Sequence, residues 1–209
     1  MTMNAILRRS FLALTLCVFA PMSVAPAFAA NPAEQYVTDN IHKGLELLNN
    51  KSLSAPERRT QFEQFLLSLT DIKRIAVFTL GNYRRSMSQA DQDAFTAAFQ
   101  NYAVSVYQSY FAKYAGQTLK VTGSQERAPG DFIVQTLLID PNDHSGQPPA
   151  EVDFRVRTDG GKPVVTDFAY SGIWLAIEER DQFTAFLGQN GGNTQLLIGH
   201  LNEMAKSFR

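Results

Sequence analysis

Cysteine is nearly absent from this 209-residue chain. The single cysteine, Cys17, lies near the N-terminus, so the rest of the chain has no thiol for a disulfide, a metal site or a nucleophile. Histidine is scarce as well, and His42, His144 and His200 do not show the spacing of metal ligands. The composition therefore argues against a metal centre, and we expect no metal and no other cofactor.

The motifs of common enzyme classes are also missing. The sequence contains no G-x-S-x-G elbow, phosphate-binding loop, dinucleotide fingerprint or H-E-x-x-H. Asp153 and Asp167 stand among apolar residues of strand-like segments, where a buried carboxylate would have a raised pKa. Strand alternation places both opposite their apolar neighbours, which favours solvated, outward-facing carboxylates. We therefore expect that the protein is not an enzyme. The alternative is an enzyme that acts on an apolar small molecule, with Asp153 or Asp167 as the base.

The apolar run near the N-terminus, Phe11 to Ala20, is too short to span a bilayer, since a membrane helix needs about 20 residues. It follows two arginines and precedes the small-x-small sequence Ala27–Ala29. This arrangement is typical of a cleaved secretory signal peptide, with a retained anchor as the alternative. We expect residues 1–29 to be a signal peptide, residues 30–209 to form one domain, and the protein to reside in the periplasm.

An excess of positive charge is absent. The net charge is −1, and loss of residues 1–29 would make it −3. A nucleic-acid-binding domain is usually basic, so this charge argues against nucleic acid as a partner. The basic residues are concentrated between Lys51 and Arg85, where seven face three acids. That stretch is interpreted either as a solvated helical face or as a docking surface for anionic headgroups or an acidic partner.

What is present is a succession of helical, then strand-like, then helical patterns. Helical spacing or capping signals predict helices at Ala33–Asn50, from Ser54, at Ile72–Leu80, at Ser88–Tyr114 and at Asn193–Phe208. Strand patterns cover Thr118–Gly123, Asp131–Asp140, Val152–Val156 and Val164–Ile177, with a helix beginning at Glu178. Short connections between the strands favour antiparallel pairing, so the predicted fold is α+β, a meandering sheet packed on segregated helices.

The strand Asp131–Asp140 is apolar on both faces. A sheet with one face in water should alternate between apolar and polar residues. Two interpretations remain open: helices cover both faces, or one face lines an internal cavity.

Several short motifs resemble those of one family in their order and spacing. They are Phe78–Gly81 with Tyr83 and Arg84 after it, Ser88–Phe99, Asp167–Gly172, Arg180–Phe183 and Asn190–Gly192. Together they cover roughly Pro32 to Phe208 and resemble the MlaC, or toluene-tolerance, family of periplasmic lipid carriers. The segments Ile173–Leu175 and Glu178–Glu179, together with Gly188–Asn193, are similar to the hopanoid-associated branch, HpnM.

The resemblance implies an NTF2-like fold, in which a curved antiparallel sheet and N-terminal and C-terminal helices enclose an apolar pocket. It also implies a cargo of phospholipid, or of hopanoid-type lipid, carried between an outer-membrane lipid complex and an inner-membrane lipid transporter containing an ABC transporter. A binding module that docks on an envelope complex without cargo is a further alternative.

The expected lipid-binding residues lie on one face of the strands and on the elements opposite them. They are Tyr107, Phe111, Phe132, Val134, Leu138, Val152, Phe154, Val156, Trp174 and Leu175. A one-residue slip in register would exchange the strand residues for their neighbours. For Trp174, the only tryptophan, ordinary core packing is the alternative.

Overall fold

The computed structural model describes residues 31–111, 113–158 and 160–208. The predicted signal peptide and the side chain of Phe111 lie outside the described part. The helices are α1 (Pro32–Asn49), α2 (Ala55–Leu69), α3 (Ile72–Thr79), α4 (Gln89–Phe111), α5 (Leu175–Gln189) and α6 (Thr194–Ser207), with a 3₁₀ turn at Gly81–Arg85. The strands are β1 (Thr118–Ala128), β2 (Asp131–Ile139), β3 (Glu151–Arg157), β4 (Val164–Tyr170) and β5 (Ile173–Trp174).

The five strands form one sheet in the order β1-β2-β3-β4-β5, and every neighbouring pair is antiparallel. This confirms the predicted α+β meander. Short loops make this the accessible arrangement, because parallel neighbours would need long crossovers. Within the described ranges, no helix combines the length and the hydrophobicity needed to cross a membrane.

Helix starts are fixed by the side chains that the sequence places there. Asn31 caps α1 by accepting the N–H groups of Ala33 and Glu34, both at 2.9 Å. Ser54 and Glu57 form the predicted capping box at the start of α2. These caps satisfy backbone donors that have no partner inside the helix. They fix the residues at which the two N-terminal helices begin.

Two hydrophobic clusters divide the core. The larger is helical and joins α3, α4, α5 and α6 through residues such as Phe95, Phe99, Phe183 and Leu201. The smaller joins α1 to the sheet. Its buried residues are Ala33, Val37, Val134, Val156 and Val165. The face of the sheet that carries Val134 and Val156 therefore packs on α1. We call it the α1-facing face.

The opposite face of the sheet is polar where Asp131 lies. The Asp131 carboxylate accepts Nε of Arg155 at 2.9 Å and Nη2 at 2.6 Å. Ile133, Leu137 and Ile139 on β2 are half-buried there. The sequence left two interpretations open for the strand that is apolar on both faces. The structure supports the second, because the α1-facing face lines the cavity described below.

The predicted strand Val164–Ile177 is wrong at its C-terminal end. The chain turns at Ser171 and Gly172, whose φ angles are +48° and +81°, and Ile173 pairs back onto Tyr170. Two consecutive residues with positive φ make the tight hairpin turn that suits the twist of paired strands. Gly172 is thus a turn residue, and α5 begins at Leu175, three residues before the predicted start at Glu178.

Candidate functional site

An apolar cavity of about 300 Å³ lies between α1, α2 and the α1-facing face of the sheet. Its lining residues come from these three parts of the fold and from the segment that leads into β1. They are Tyr36, Val37, Asn40, Ile41, Gly44, Leu45, Leu48, Phe65, Leu66, Leu69, Tyr114, Gln117, Thr118, Leu119, Leu138, Phe154 and Val165. This volume is at the lower end of the range for small-molecule sites, about 300–1,000 Å³.

Helix α1 forms one wall because its apolar residues recur every three or four positions. Val37, Ile41, Leu45 and Leu48 therefore lie on one side of the helix and point into the cavity. Gly44 lies in the same wall, and a Cβ there would come within 3.2 Å of the Phe65 ring of α2. The two helices thus approach each other closely at one point, and the cavity opens beside that contact.

Helix α2 forms the second wall. It is described over its whole length and contains no fully buried residue. Phe65, Leu66 and Leu69 face the cavity and are half-buried. A helix that covers a cavity without a fully buried anchor can shift outward at a lower cost than one keyed into a core.

The sheet forms the floor. Leu138 of β2 pairs with Leu119 of β1, and Phe154 of β3 pairs with Val134 and with Phe168 on either side. Cross-strand partners point to the same face of a sheet. Leu119, Leu138 and Phe154 therefore present a continuous apolar surface to the two helices.

The polar groups of the cavity are bonded within the protein. Asn40 donates Nδ2 to the Tyr36 carbonyl at 2.7 Å, and the Tyr36 hydroxyl donates to the Leu69 carbonyl at 3.3 Å. Gln117 donates Nε2 to Asp140 at 3.0 Å. Burial raises the pKa of Tyr36 above its ordinary value. Among the described residues, none that lines the cavity carries a charge, so the arrangement is suited to an apolar group.

The predicted site residues fall into three groups. Leu138 and Phe154 line the cavity. Phe132, Val134 and Val156 pack on α1 in the smaller core cluster, and Val152 pairs with Thr136 on the same face.

The third group lies elsewhere. The Tyr107 ring packs on Phe168, with their centroids 5.6 Å apart. Trp174 and Leu175 are half-buried at the junction of β5 and α5 and are not among the described residues that line the cavity. The lipid-binding role of all ten residues, including Phe111, stays a prediction.

Sequence reasoning missed the two helical walls. The periodic residues of α1 and α2 were visible, but they predicted ordinary core positions. A signal was present in Gly44, because a glycine inside an otherwise regular helix often marks the close approach of another element. Phe65 is the element that approaches.

Asp167 and Asp153 differ from the solvated carboxylates that strand alternation favoured. Asp167 is buried and accepts the N–H groups of Phe168 at 2.8 Å and Ala176 at 2.9 Å. Asp153 is half-buried. Burial raises the pKa of both, and the nearby Glu151 adds to the effect at Asp153. The prediction of solvated side chains is wrong for Asp167, which faces the start of α5 instead of solvent.

The basic stretch Lys51–Arg85 is only partly a free surface. Arg58 is half-buried and donates to the carbonyls of Leu48 and Leu53 at 3.4 and 3.2 Å. Lys73 pairs with Asp93 at 3.3 Å on the exposed side of α3. These contacts support the interpretation of a solvated helical face at Lys73 and give Arg58 a structural role in the α1–α2 loop.

The fold and the cavity define an α+β domain with an apolar cavity between two helices and a sheet. The model of the MlaC protein family matches residues 38–203, and the chain belongs to this family. A solved structure with a similar fold is that of the phospholipid-binding protein from Ralstonia solanacearum, determined in complex with a phospholipid. The two chains are 19% identical, with a TM-score of 0.73, and the match covers 86% of this chain and 99% of that one.

Proposed function

We propose that this protein binds a phospholipid and carries it through the periplasm. The observation that carries the proposal is the uncharged cavity between α1, α2 and the sheet. A lipid in transit must keep its acyl chains out of water, and burial contributes about 0.8 kcal/mol for each CH₂. Family membership and the phospholipid complex of the Ralstonia solanacearum protein support the same cargo.

The cavity of about 300 Å³ receives part of an acyl chain, and α2 moves outward to admit the rest. This movement is inexpensive because none of the residues of α2 is fully buried. Leu138 and Phe154 contact the chain from the floor, and Phe65, Leu66 and Leu69 contact it from α2. The remaining predicted residues of the sheet, among them Val134 and Val156, support the floor from the core.

The partners in this function are an outer-membrane lipid complex and an inner-membrane lipid transporter, between which the protein moves as a shuttle. No chemical step is required, so the protein is a carrier without enzymatic activity. A hopanoid-type lipid is the second cargo to be tested, because a rigid polycyclic body would need a cavity of different shape from that for acyl chains.

The test is to purify the protein from the periplasm, extract its lipid and weigh the intact complex by native mass spectrometry. We expect phospholipid in an amount close to one per chain. Leu66→Trp should fill the cavity from α2 and reduce occupancy. Leu67→Trp is the matched control, since Leu67 neighbours Leu66 but is not among the described residues that line the cavity. Wild-type protein that is consistently empty after gentle purification would contradict the proposal, and extracted hopanoid would replace phospholipid as the cargo.

A further inference from the structure

A second pocket of about 210 Å³ adjoins the apolar cavity, and charged and polar side chains form part of its wall; we call it the polar pocket. The two share Tyr36, Asn40, Phe65 and Leu69 in their walls. The residues that belong to the second pocket alone are Asp39, Lys43, Ser68 and Lys162, and all four are exposed to solvent. The apolar cavity therefore continues directly into a pocket with charged residues at the surface. An amphiphile has a matching arrangement, with an apolar part joined to a polar part.

The charges in this pocket come from two separate parts of the chain. Asp39 and Lys43 lie one turn apart on α1, and Lys162 comes from the loop between β3 and β4. Asp39 accepts Nε2 of Gln35 at 2.7 Å instead of pairing with Lys43. In the part of the chain that the structure describes, neither Lys43 nor Lys162 has an ion-pair partner. Both ammonium groups are therefore available to a ligand.

We propose that this polar pocket is the headgroup site for a phospholipid with a zwitterionic headgroup, an inference that rests on the proposed function. Lys43 and Lys162 bind the phosphate from α1 and from the β3–β4 loop. The Asp39 carboxylate binds the ammonium group of the headgroup. The shared residues Tyr36 and Phe65 mark the point at which the glycerol backbone passes into the apolar cavity.

The chemistry of the pocket favours a phosphate over an uncharged headgroup. Lysine binds phosphate as a point charge with three donors. A cargo without phosphate would leave two ammonium groups without a counter-charge beside the mouth of an apolar cavity. The carboxylate of Asp39 discriminates in addition between headgroups, because it attracts an ammonium group and repels a second anionic group.

The experiment loads delipidated protein with an equimolar mixture of phosphatidylethanolamine, phosphatidylglycerol and diacylglycerol that have the same acyl chains. Native mass spectrometry then reads the amount of each lipid bound. Wild-type protein should prefer both phospholipids to diacylglycerol, and phosphatidylethanolamine to phosphatidylglycerol. Each exposed charge should contribute roughly 2- to 5-fold to these ratios.

The variants separate the two parts of the headgroup. Lys43→Gln combined with Lys162→Gln should lower the preference for phospholipid over diacylglycerol. Asp39→Asn should lower only the preference for phosphatidylethanolamine over phosphatidylglycerol. Lys206→Gln, which removes an exposed charge on α6 that pairs with Glu203 at 2.6 Å, is the control and should change neither ratio. All four positions are exposed, so the fold should be retained.

Inorganic phosphate distinguishes a lipid headgroup from a free anion as the ligand. At millimolar concentration it should leave the bound phospholipid in place, because it lacks the acyl chains that occupy the adjoining cavity. Displacement of phospholipid by phosphate would identify a free-anion site and overturn the proposal. Unchanged lipid ratios in the lysine variants would overturn the headgroup site while leaving lipid carriage intact. Wild-type protein that takes up none of the three lipids would overturn both.

Discussion

The carboxylate of Asp167 caps helix α5 by accepting the backbone N–H of Ala176 at 2.9 Å. The same oxygen accepts the N–H of Phe168 at 2.8 Å. The residue in the N-cap position of α5, Trp174, provides no side-chain acceptor of its own. A carboxylate from β4 therefore performs the capping role for a helix that begins eight positions later in the chain, and it fastens the helical core to the sheet.

Replacing Asp167 by alanine should lower the free energy of unfolding by about 1–3 kcal/mol. The reason is that the buried N–H of Ala176 would lose its acceptor. Asp167→Asn keeps an oxygen at this position and should cost less. Urea unfolding followed by circular dichroism measures both variants. Equal losses for alanine and asparagine would show that the hydrogen bond to Ala176 contributes little.

The pH dependence of stability offers a second test of Asp167, since burial raises the pKa of its carboxyl. The folded protein holds this proton to a higher pH than the unfolded chain, whose aspartates titrate near pH 3.9. The stability contributed by protonated Asp167 is therefore complete below about pH 3.9. It is lost as the pH rises through the raised folded pKa. The free energy of unfolding of the wild type, relative to that of Asp167→Asn, should fall over this window. If the difference in unfolding free energy between the wild type and Asp167→Asn does not change with pH, burial does not disfavour the charged form of Asp167.

Tyr102 and Glu179 form a second polar contact inside the helical core, where the Tyr102 hydroxyl donates to Oε1 of Glu179 at 3.0 Å. Burial raises the pKa of Glu179, and this hydrogen bond partly opposes the shift. Tyr102→Phe should cost about 1–3 kcal/mol, because it removes the donor from a buried carboxyl group. It should also raise the pKa of Glu179 further.

Unfolding measurements on Tyr102→Phe, Glu179→Gln and the double variant form a cycle that isolates the pair. We expect the double variant to lose less stability than the sum of the two single losses. Strict additivity would mean that the two side chains do not interact energetically. Glu179 Oε2 is buried and has no hydrogen-bond partner among the described residues, so the pair is sensitive to any change of its surroundings.

Gly81 tests the junction between α3 and α5. Its φ angle is +55°, and a Cβ there would lie 2.9 Å from Cγ2 of Thr184. Gly81→Ala should therefore destabilise the protein, with about 1–2 kcal/mol from the left-handed backbone and a further cost from the clash. Thr184→Ser removes Cγ2 and keeps the hydroxyl that donates to the Arg180 carbonyl at 2.8 Å. Combined with Gly81→Ala, it should recover the clash part only, as measured by thermal unfolding. Full recovery, or none, would contradict this division of the cost.

Local signals in the sequence predicted most of the secondary structure. The Ser54–Glu57 capping box and the strand Asp131–Ile139 were found because side-chain chemistry or alternation within a few residues determines them. The end of the predicted strand at Ile177 was wrong for a physical reason. The apolar residues Trp174 to Ile177 suit a strand and a helix start equally, and the acceptor that decides between them is Asp167 from a neighbouring strand.

The cavity was only partly predictable. Leu138 and Phe154 lie on the strand face that alternation identified, and they line the cavity. The walls from α1 and α2 were not identified, because helical periodicity reveals which residues are apolar but not how tightly a neighbour packs on them. A cavity depends on the space left between elements. The close approach of Gly44 to Phe65 is set by tertiary packing, which a local sequence pattern does not reveal.

Trp174→Ala separates a lipid contact from a packing role. The side chain is half-buried at the start of α5 and next to the segment that Asp167 caps. We therefore expect a loss of about 1–3 kcal/mol in the free energy of unfolding, below the 3–5 kcal/mol typical of a fully buried tryptophan. Lipid occupancy should be retained, because Trp174 is not among the described residues that line the cavity. Denaturant unfolding and native mass spectrometry of the same preparation give both quantities, with Phe154→Ala as the comparison that should lose lipid. Loss of lipid from Trp174→Ala at unchanged stability would instead place this tryptophan in the binding site, which would then extend beyond the α1–α2 cavity towards β5.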